Sequence, residues 1–197
     1  MNWIKQNNIQ NLVDIGSGEG FLGSILPDSI NYIGIEPSET LVSIAMEQYI
    51  QNNLKYKVGS AYNTSLPDGS VGAVISVMVW FHLADLDKSA KELFRNLKHG
   101  GKFLIITSNP DARKIWESFF SELKIDSDIM IGKFETEDYV FEESIIYMHQ
   151  KKKILDSLKR AGLRIEKDEN IGIAEKDDDK LFYAITGIKA WSINSNY

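Results

Sequence analysis

Cysteine is absent from the 197 residues, so neither a disulfide framework nor a thiolate metal site can exist. Histidine is scarce as well. His82, His99 and His149 lie far apart in sequence without metal-ligand spacing, and no metal is expected. An excess of positive charge is also missing: 22 Lys and Arg stand against 28 Asp and Glu, a formal net charge of −6. A general nucleic-acid binder needs clustered cations to displace counterions from phosphates, so nucleic acid is not the expected partner. One basic run, Lys151-Lys152-Lys153, reads as a solvated helix start, with a small RNA-facing patch as the alternative. No apolar run is long enough for a membrane: the stretch from Val71 to Phe81 is interrupted by Gly72 and Ser76 and reaches about half the span of a bilayer. The start, Met1 to Asn8, lacks the apolar region of a signal peptide. A cytoplasmic placement follows as the expectation.

What is present is an ordinary globular composition, 43% hydrophobic and 25% charged. The length suits one sizeable core, and a single domain over 1–197 is expected. Asn11-Leu12-Val13-Asp14-Ile15 and Asn31-Tyr32-Ile33-Gly34-Ile35-Glu36 are apolar runs of the kind that form buried parallel strands. Between them Phe21 to Leu26 has room for a short helix ended by Pro27, which makes a βαβ unit. Ser38 caps a second helix with Leu41, Ile44, Ala45 and Tyr49 at helical spacing. Leu54 to Val58 and Val71 to Val77 are further strands. A helix with Leu86, Ala90, Leu93, Phe94 and Leu97 on one face is expected to end at Gly100-Gly101. Phe103 to Thr107 is the fifth strand.

The order β-α-β-α-β-β-α-β indicates a doubly wound α/β fold. From Asn109 to Glu143 the pattern changes to a helical patch around Trp116, Phe119, Phe120 and Leu123, then a polar stretch without clear period. It reads as an insertion at about 109–143 over the carboxyl edge of the sheet. Lys152 to Ala161 is a helix stopped at Gly162, and Leu163-Arg164-Ile165 begins a strand. A charged turn from Glu175 to Lys180 leads to a last strand, Leu181 to Ala190. The whole is a mostly parallel seven-stranded sheet whose final strand is antiparallel.

Ligands of such sheets bind beyond the carboxyl ends of the strands, where strand order reverses. The first strand ends there in Gly16-Ser17-Gly18-Glu19-Gly20, whose glycines permit a sharp turn and close approach to a ligand. Glu36 ends the second strand, where a carboxylate can accept hydrogen bonds from both ribose hydroxyls. Asp14 ends the first. Its charge would repel a pyrophosphate but suits a cationic amine or sulfonium. A nicotinamide dinucleotide fingerprint fits poorly, since counting from Gly16 and Gly18 puts Phe21 at the position of the third glycine.

The run Val13-Asp14-Ile15-Gly16-Ser17-Gly18-Glu19-Gly20 resembles the first motif of class I S-adenosylmethionine-dependent methyltransferases. Ile33-Gly34-Ile35-Glu36-Pro37-Ser38 is similar to the second, and Gly59-Ser60-Ala61-Tyr62 falls where the family places its adenine loop. Similarity continues through Leu66 to Val77 and Leu93 to Lys102, so it covers about Asn11 to Thr107. The resemblance implies S-adenosyl-L-methionine as cofactor and a Rossmann-like fold. Asp14, Gly16, Ser17, Gly18, Gly20 and Phe21 would seat its methionine and adenosine parts, and Glu36 with Pro37 the ribose. Ser60, Ala61 and Tyr62 would hold the adenine, while Ser76 and Val77 floor the site. This chain has Ser60 where the family often has an acid, so the adenine amine would find a backbone carbonyl instead. Few residues precede the first strand, so the cover over the cofactor would be short, supplied by the insertion, or absent.

The resemblance further implies an in-line displacement at the sulfonium methyl, with a small-molecule acceptor as partner. Methylation of RNA or protein, and a non-catalytic cofactor-binding module, are the alternatives. Candidate general bases are His82, just beyond strand four, and His149, where related enzymes often bring a residue toward the substrate. Trp80, Trp116 and Tyr147 are candidate walls of an apolar pocket.

Overall fold

Apolar runs that stop at glycines or turns become strands, and stretches with an apolar stripe become the helices that cover them. The computed structural model describes residues 1–135, 140–172 and 180–190. The first half runs α1 (Asn2–Gln6), β1 (Asn11–Ile15), α2 (Phe21–Ser24), β2 (Asn31–Glu36), α3 (Glu39–Gln48), β3 (Leu54–Val58) and β4 (Val71–Val77). It continues through α4 (Leu86–Asn96) and β5 (Leu97–Ser108). Then come α5 (Arg113–Glu117), β6 (Phe120–Asp126), β7 (Ile129–Glu135) and β8 (Val140–Tyr147), followed by α6 (Lys151–Arg160), β9 (Leu163–Ile171) and β10 (Phe182–Lys189).

Seven strands form one sheet in the order β3-β2-β1-β4-β5-β10-β9. β1 pairs in parallel with both β2 and β4, whereas β10 is antiparallel to β5 and to β9. The strand order therefore reverses between β1 and β4, and the residues that follow these two strands share one edge. The alternating side chains of a strand face opposite ways, which gives the sheet two apolar faces. Val13, Ile15, Val74, Phe103 and Ile105 pack with Leu93 of α4 and with Ile154 and Leu158 of α6. Leu12, Tyr32, Ala73 and Ile75 pack on the other side with Ile4 of α1 and with Val42 and Ala45 of α3. Each such buried aliphatic side chain contributes about 1.5–3 kcal/mol against exposure.

Local signals hold at the helix starts. The Ser38 side chain accepts from the Leu41 amide and caps α3, and Asp85 caps α4 through the Lys88 amide. Two expectations are corrected. α4 ends at Asn96 rather than at Gly100-Gly101, because Leu97 already adopts extended backbone and begins β5. Gly100, at φ +74°, serves instead at the register shift where Val71 pairs with Leu97 but Ala73 pairs with Lys102. The expected helical patch in the insertion is also shorter than foreseen. α5 stops at Glu117, and Phe120 and Leu123 belong to the first strand of a separate antiparallel sheet, ordered β6-β7-β8. The last strand of that sheet, β8, ends at Tyr147. Of the expected charged turn, 175–179 lie outside the described residues.

Candidate active site

The end of β1 and the turn after it form the centre of the site. Gly16, Gly18 and Gly20 have φ of +82°, +53° and +86°, backbone that L side chains rarely adopt. A Cβ on Gly16 would stand 2.1 Å from Cγ2 of Val79, so this glycine is also required by packing. At Gly18, its chain neighbours apart, no atom of the described residues lies within 4 Å of the Cβ position, leaving open space above the loop. The Gly16 and Ser17 amides donate to the Ile35 carbonyl at 2.7 and 3.1 Å, which ties the loop to β2.

Glu36 sits beside that loop, 8% exposed. One carboxylate oxygen accepts from the Gly18 amide and the other from the Ser38 amide, each at 3.1 Å. Each oxygen keeps a further lone pair for a hydroxyl. Asp14 is buried on the face of the sheet that carries Tyr32, and accepts from its phenol at 2.7 Å. Burial raises the Asp14 carboxyl to about 7. The Tyr32 hydrogen bond acts against this, and the nearby Glu36 charge adds to it. The Tyr32 phenol is itself pushed up by burial and by Asp14.

The remaining predicted residues differ in what they present. The Ser17 side chain lies over Gly34, its hydroxyl buried with no partner among the described residues, so the residue faces the crevice through its backbone. Phe21, at the start of α2, is 68% exposed, and Pro37 is exposed. Ser60 and Asn63 exchange backbone hydrogen bonds, and the Gly59 amide donates to the Glu36 carbonyl, which holds this loop beside β2. Ala61 is buried in the core; the Tyr62 hydroxyl accepts from the Asp85 amide. The Ser76 hydroxyl donates to the Ile15 carbonyl at 3.0 Å and fastens the ends of β1 and β4 together, next to half-buried Val77.

Beyond β4 the backbone of Met78 has φ +60°, rare for a side chain of this kind. Its amide still donates to the Ile106 carbonyl at 2.8 Å, while its side chain lines a cavity of about 240 Å³. Phe81, His82, Trp116, Phe134, Ser144 and Ile146 complete the lining, so the segment after β4, α5 and the inserted sheet border it jointly. Nδ1 of His82 is 3.1 Å from the Ile145 carbonyl, and burial lowers the pKa of this imidazole. His149 is placed elsewhere. Its ring stacks on Tyr147 and its Nε2 lies 2.7 Å from the Leu83 carbonyl, so it is not brought to the cavity. Of the three predicted aromatic walls Trp116 lines the cavity, whereas Trp80 is buried in the main core and Tyr147 stacks with His149.

A family profile described as a methyltransferase domain matches residues 13–105. Residues 13–105 thus carry a methyltransferase domain. The match spans the glycine loop, Glu36 and most of the stretch from β1 to β5, the parts whose geometry is given above. A probable S-adenosylmethionine-dependent methyltransferase of Mycolicibacterium smegmatis is 31% identical over 51% of this chain and 38% of its own length. A ubiquinone/menaquinone biosynthesis C-methyltransferase of Rickettsia bellii is 26% identical over 71% and 63%. The chain thus spans less than two thirds of either relative. A putative S-adenosylmethionine-dependent methyltransferase of Listeria monocytogenes has the same fold, with a TM-score of 0.74 at 18% identity over 96% of this chain and 97% of that one. Among the described residues no helix is long and apolar enough to cross a membrane.

The residues of this methyltransferase domain fit the family's cofactor, S-adenosyl-L-methionine. Glu36 bonds a loop with open space above it, and buried Asp14 lies close enough to couple electrostatically with Glu36, acidic surroundings that repel a diphosphate and favour a cationic nucleoside. A larger groove of about 710 Å³ opens at the other end of the strands, among Asn11, Asn31, Val71 and Lys102, and has no part in this site. The sequence reading missed Tyr32 and the Met78-Val79 pair. Tyr32 was findable, because Asp14 pairs with Gly34 and a residue two positions earlier shares its face. Nothing in the sequence marks the backbone of Met78.

Proposed function

We propose that this chain transfers a methyl group from S-adenosyl-L-methionine to a small-molecule acceptor by in-line displacement. One observation carries the reading: consecutive residues join the crevice to the cavity, Val79 against Gly16 and Met78 in the cavity wall. A cofactor above the loop and an acceptor in the cavity would then meet across one dipeptide. When bound, the cofactor supplies an electrophilic methyl carbon on a positively charged sulfur. Glu36 accepts the ribose hydroxyls, the backbone at 59–62 flanks the adenine, and Asp14 adds negative charge beneath the loop. Ser76 holds the ends of β1 and β4 in register, and such positioning can supply several kcal/mol of the barrier reduction. A small acceptor is favoured over RNA because Lys151, Lys152 and Lys153 are engaged with Asp168, Asp156 and Asp128.

Glu36→Ala tests the reading. The loss of charge-assisted hydrogen bonds worth ~1.5–3 kcal/mol each should weaken cofactor binding about a hundredfold in calorimetry. Unchanged affinity would remove Glu36 from the site. Incubation with labelled cofactor and a metabolite extract should label a low-molecular-weight product, and an extract left unlabelled argues for a binding module.

A further inference from the structure

We infer that the cavity beside Met78 seats a one- or two-ring, largely apolar acceptor bearing a hydroxyl, and that Nε2 of His82 takes the proton of that hydroxyl as it is methylated. The inference rests on the proposed methyl transfer and adds to it the acceptor class and the base.

The cavity's size sets the first limit. About 240 Å³ lies below the ~300–1,000 Å³ usual for drug-sized ligands, so the space admits a small ring system. Its chemistry sets the second. Met78, Phe81, Trp116, Phe134 and Ile146 offer apolar and aromatic surface, and Phe81 and Trp116 lie with ring centroids 5.9 Å apart. The polar side chains of the lining are His82 and Ser144, so the occupant has little polarity to satisfy.

The Ile145 carbonyl then settles what His82 can do. A carbonyl oxygen only accepts, so Nδ1 must carry the proton of this hydrogen bond, and in the neutral ring Nε2 is left with its lone pair. The ring is held in place on its other side by Phe81, with centroids 4.1 Å apart. Partial desolvation lowers the pKa of this imidazole, against the Ile145 hydrogen bond, and so favours the neutral ring, the form that can receive a proton. During transfer the acceptor oxygen forms its bond to the methyl carbon as the carbon–sulfur bond breaks. That electron pair stays on sulfur, which becomes neutral, and the hydroxyl proton passes to Nε2 and on to solvent. His149 cannot share this role from its place against Leu83.

The probe is naphthol. Naphthol should bind saturably, quench Trp116 fluorescence, and lose its affinity in Ser144→Phe, which fills the cavity from β8, while that variant binds cofactor as the wild type does. Naphthol that fails to bind, or binds Ser144→Phe equally well, overturns the cavity assignment. With cofactor present the wild type should form the methyl ether. Naphthol bound without turnover, in an enzyme that binds cofactor, overturns the hydroxyl-acceptor class. His82→Asn keeps an amide donor at the place of Nδ1 for the Ile145 carbonyl but cannot take up a proton, so naphthol affinity should persist while turnover falls about a hundredfold or more. Undiminished turnover overturns the role of His82. Nitrogen NMR of the cofactor-free wild type gives an answer independent of activity: His82 should show a protonated Nδ1 and a bare Nε2, and the opposite tautomer overturns the assignment. Failure of cofactor to bind the wild type at all would instead sink the methyl-transfer reading, and naphthol binding is measured separately from it.

Discussion

Asp14 has lost most of its hydration and gained one phenol in return, and this sets how the crevice responds to pH. With its carboxyl raised to about 7, the folded protein holds a proton that the unfolded chain has already released above the ordinary carboxylate range. Stability contributed by this group is therefore fully present at acid pH and falls as pH rises through about 7. A cationic ligand reverses the preference by favouring the ionised form. Cofactor affinity should rise across the same range, with up to about half a proton released per cofactor bound near neutrality. Calorimetry in two buffers of different ionisation enthalpy measures that release, and Asp14→Asn should abolish it. Equal proton release from the variant would exclude Asp14 as its source. The loop glycines and Glu36 were legible in the sequence because their types are demanded locally, by positive φ and by the need for a carboxylate at a strand end. The Asp14–Tyr32 pair depends on two strands lying side by side, and Val79 against Gly16 on a turn that no local pattern announces.

At the scale of elements, the loop that carries Ser60, Ala61 and Tyr62 is held from below by α4. Glu92 accepts from both the amide and the hydroxyl of Thr64, and Arg95 bonds Glu92 and Asp68. Burial alone would raise the Glu92 carboxyl, but Arg95 and Thr64 together pull it down to about 2. A depressed folded pKa contributes stability above the usual carboxylate range, and that stability is lost as pH falls toward about 2. Glu92→Ala leaves the buried Thr64 amide without its acceptor, while the Thr64 hydroxyl can still donate to Asn96, and removes a partner of Arg95; it should cost about 2–4 kcal/mol, measured by urea unfolding near neutral pH. A change under about half a kcal/mol would show that the network does not hold the loop. The central strands β1, β2, β4 and β10 were legible because each is largely an apolar run, whereas of β9 only its first residues, Leu163 to Ile165, carry that signal. β6 was not, since nearly all its side chains are exposed or half-buried and its pairing with β7 shifts register at Ser121. Alternation and period both fail there, and the aromatic residues around it imitate a helix.

At the scale of the whole molecule, the inserted sheet and the seven-stranded sheet are joined by one aromatic cluster. Trp116, 5% exposed, contacts Phe81 from the loop after β4 and Phe182 of β10, and its indole donates to the Leu181 carbonyl. Trp116→Ala should cost about 3–5 kcal/mol and enlarge the cavity. Hydrogen exchange should quicken in β6 to β8 while β1, β4 and β5 keep their protection. Uniform quickening across both sheets would mean that the two do not open independently. By itself the sequence determined the doubly wound order, the crevice at the reversal and the carboxylates around it, because strand period, glycine turns and chain order are local properties. Only the tertiary structure decided which histidine borders the cavity, which aromatic residue walls it, and how Asp14 is buried. Those outcomes depend on which segments, remote in sequence, are pressed together once water is excluded from between them.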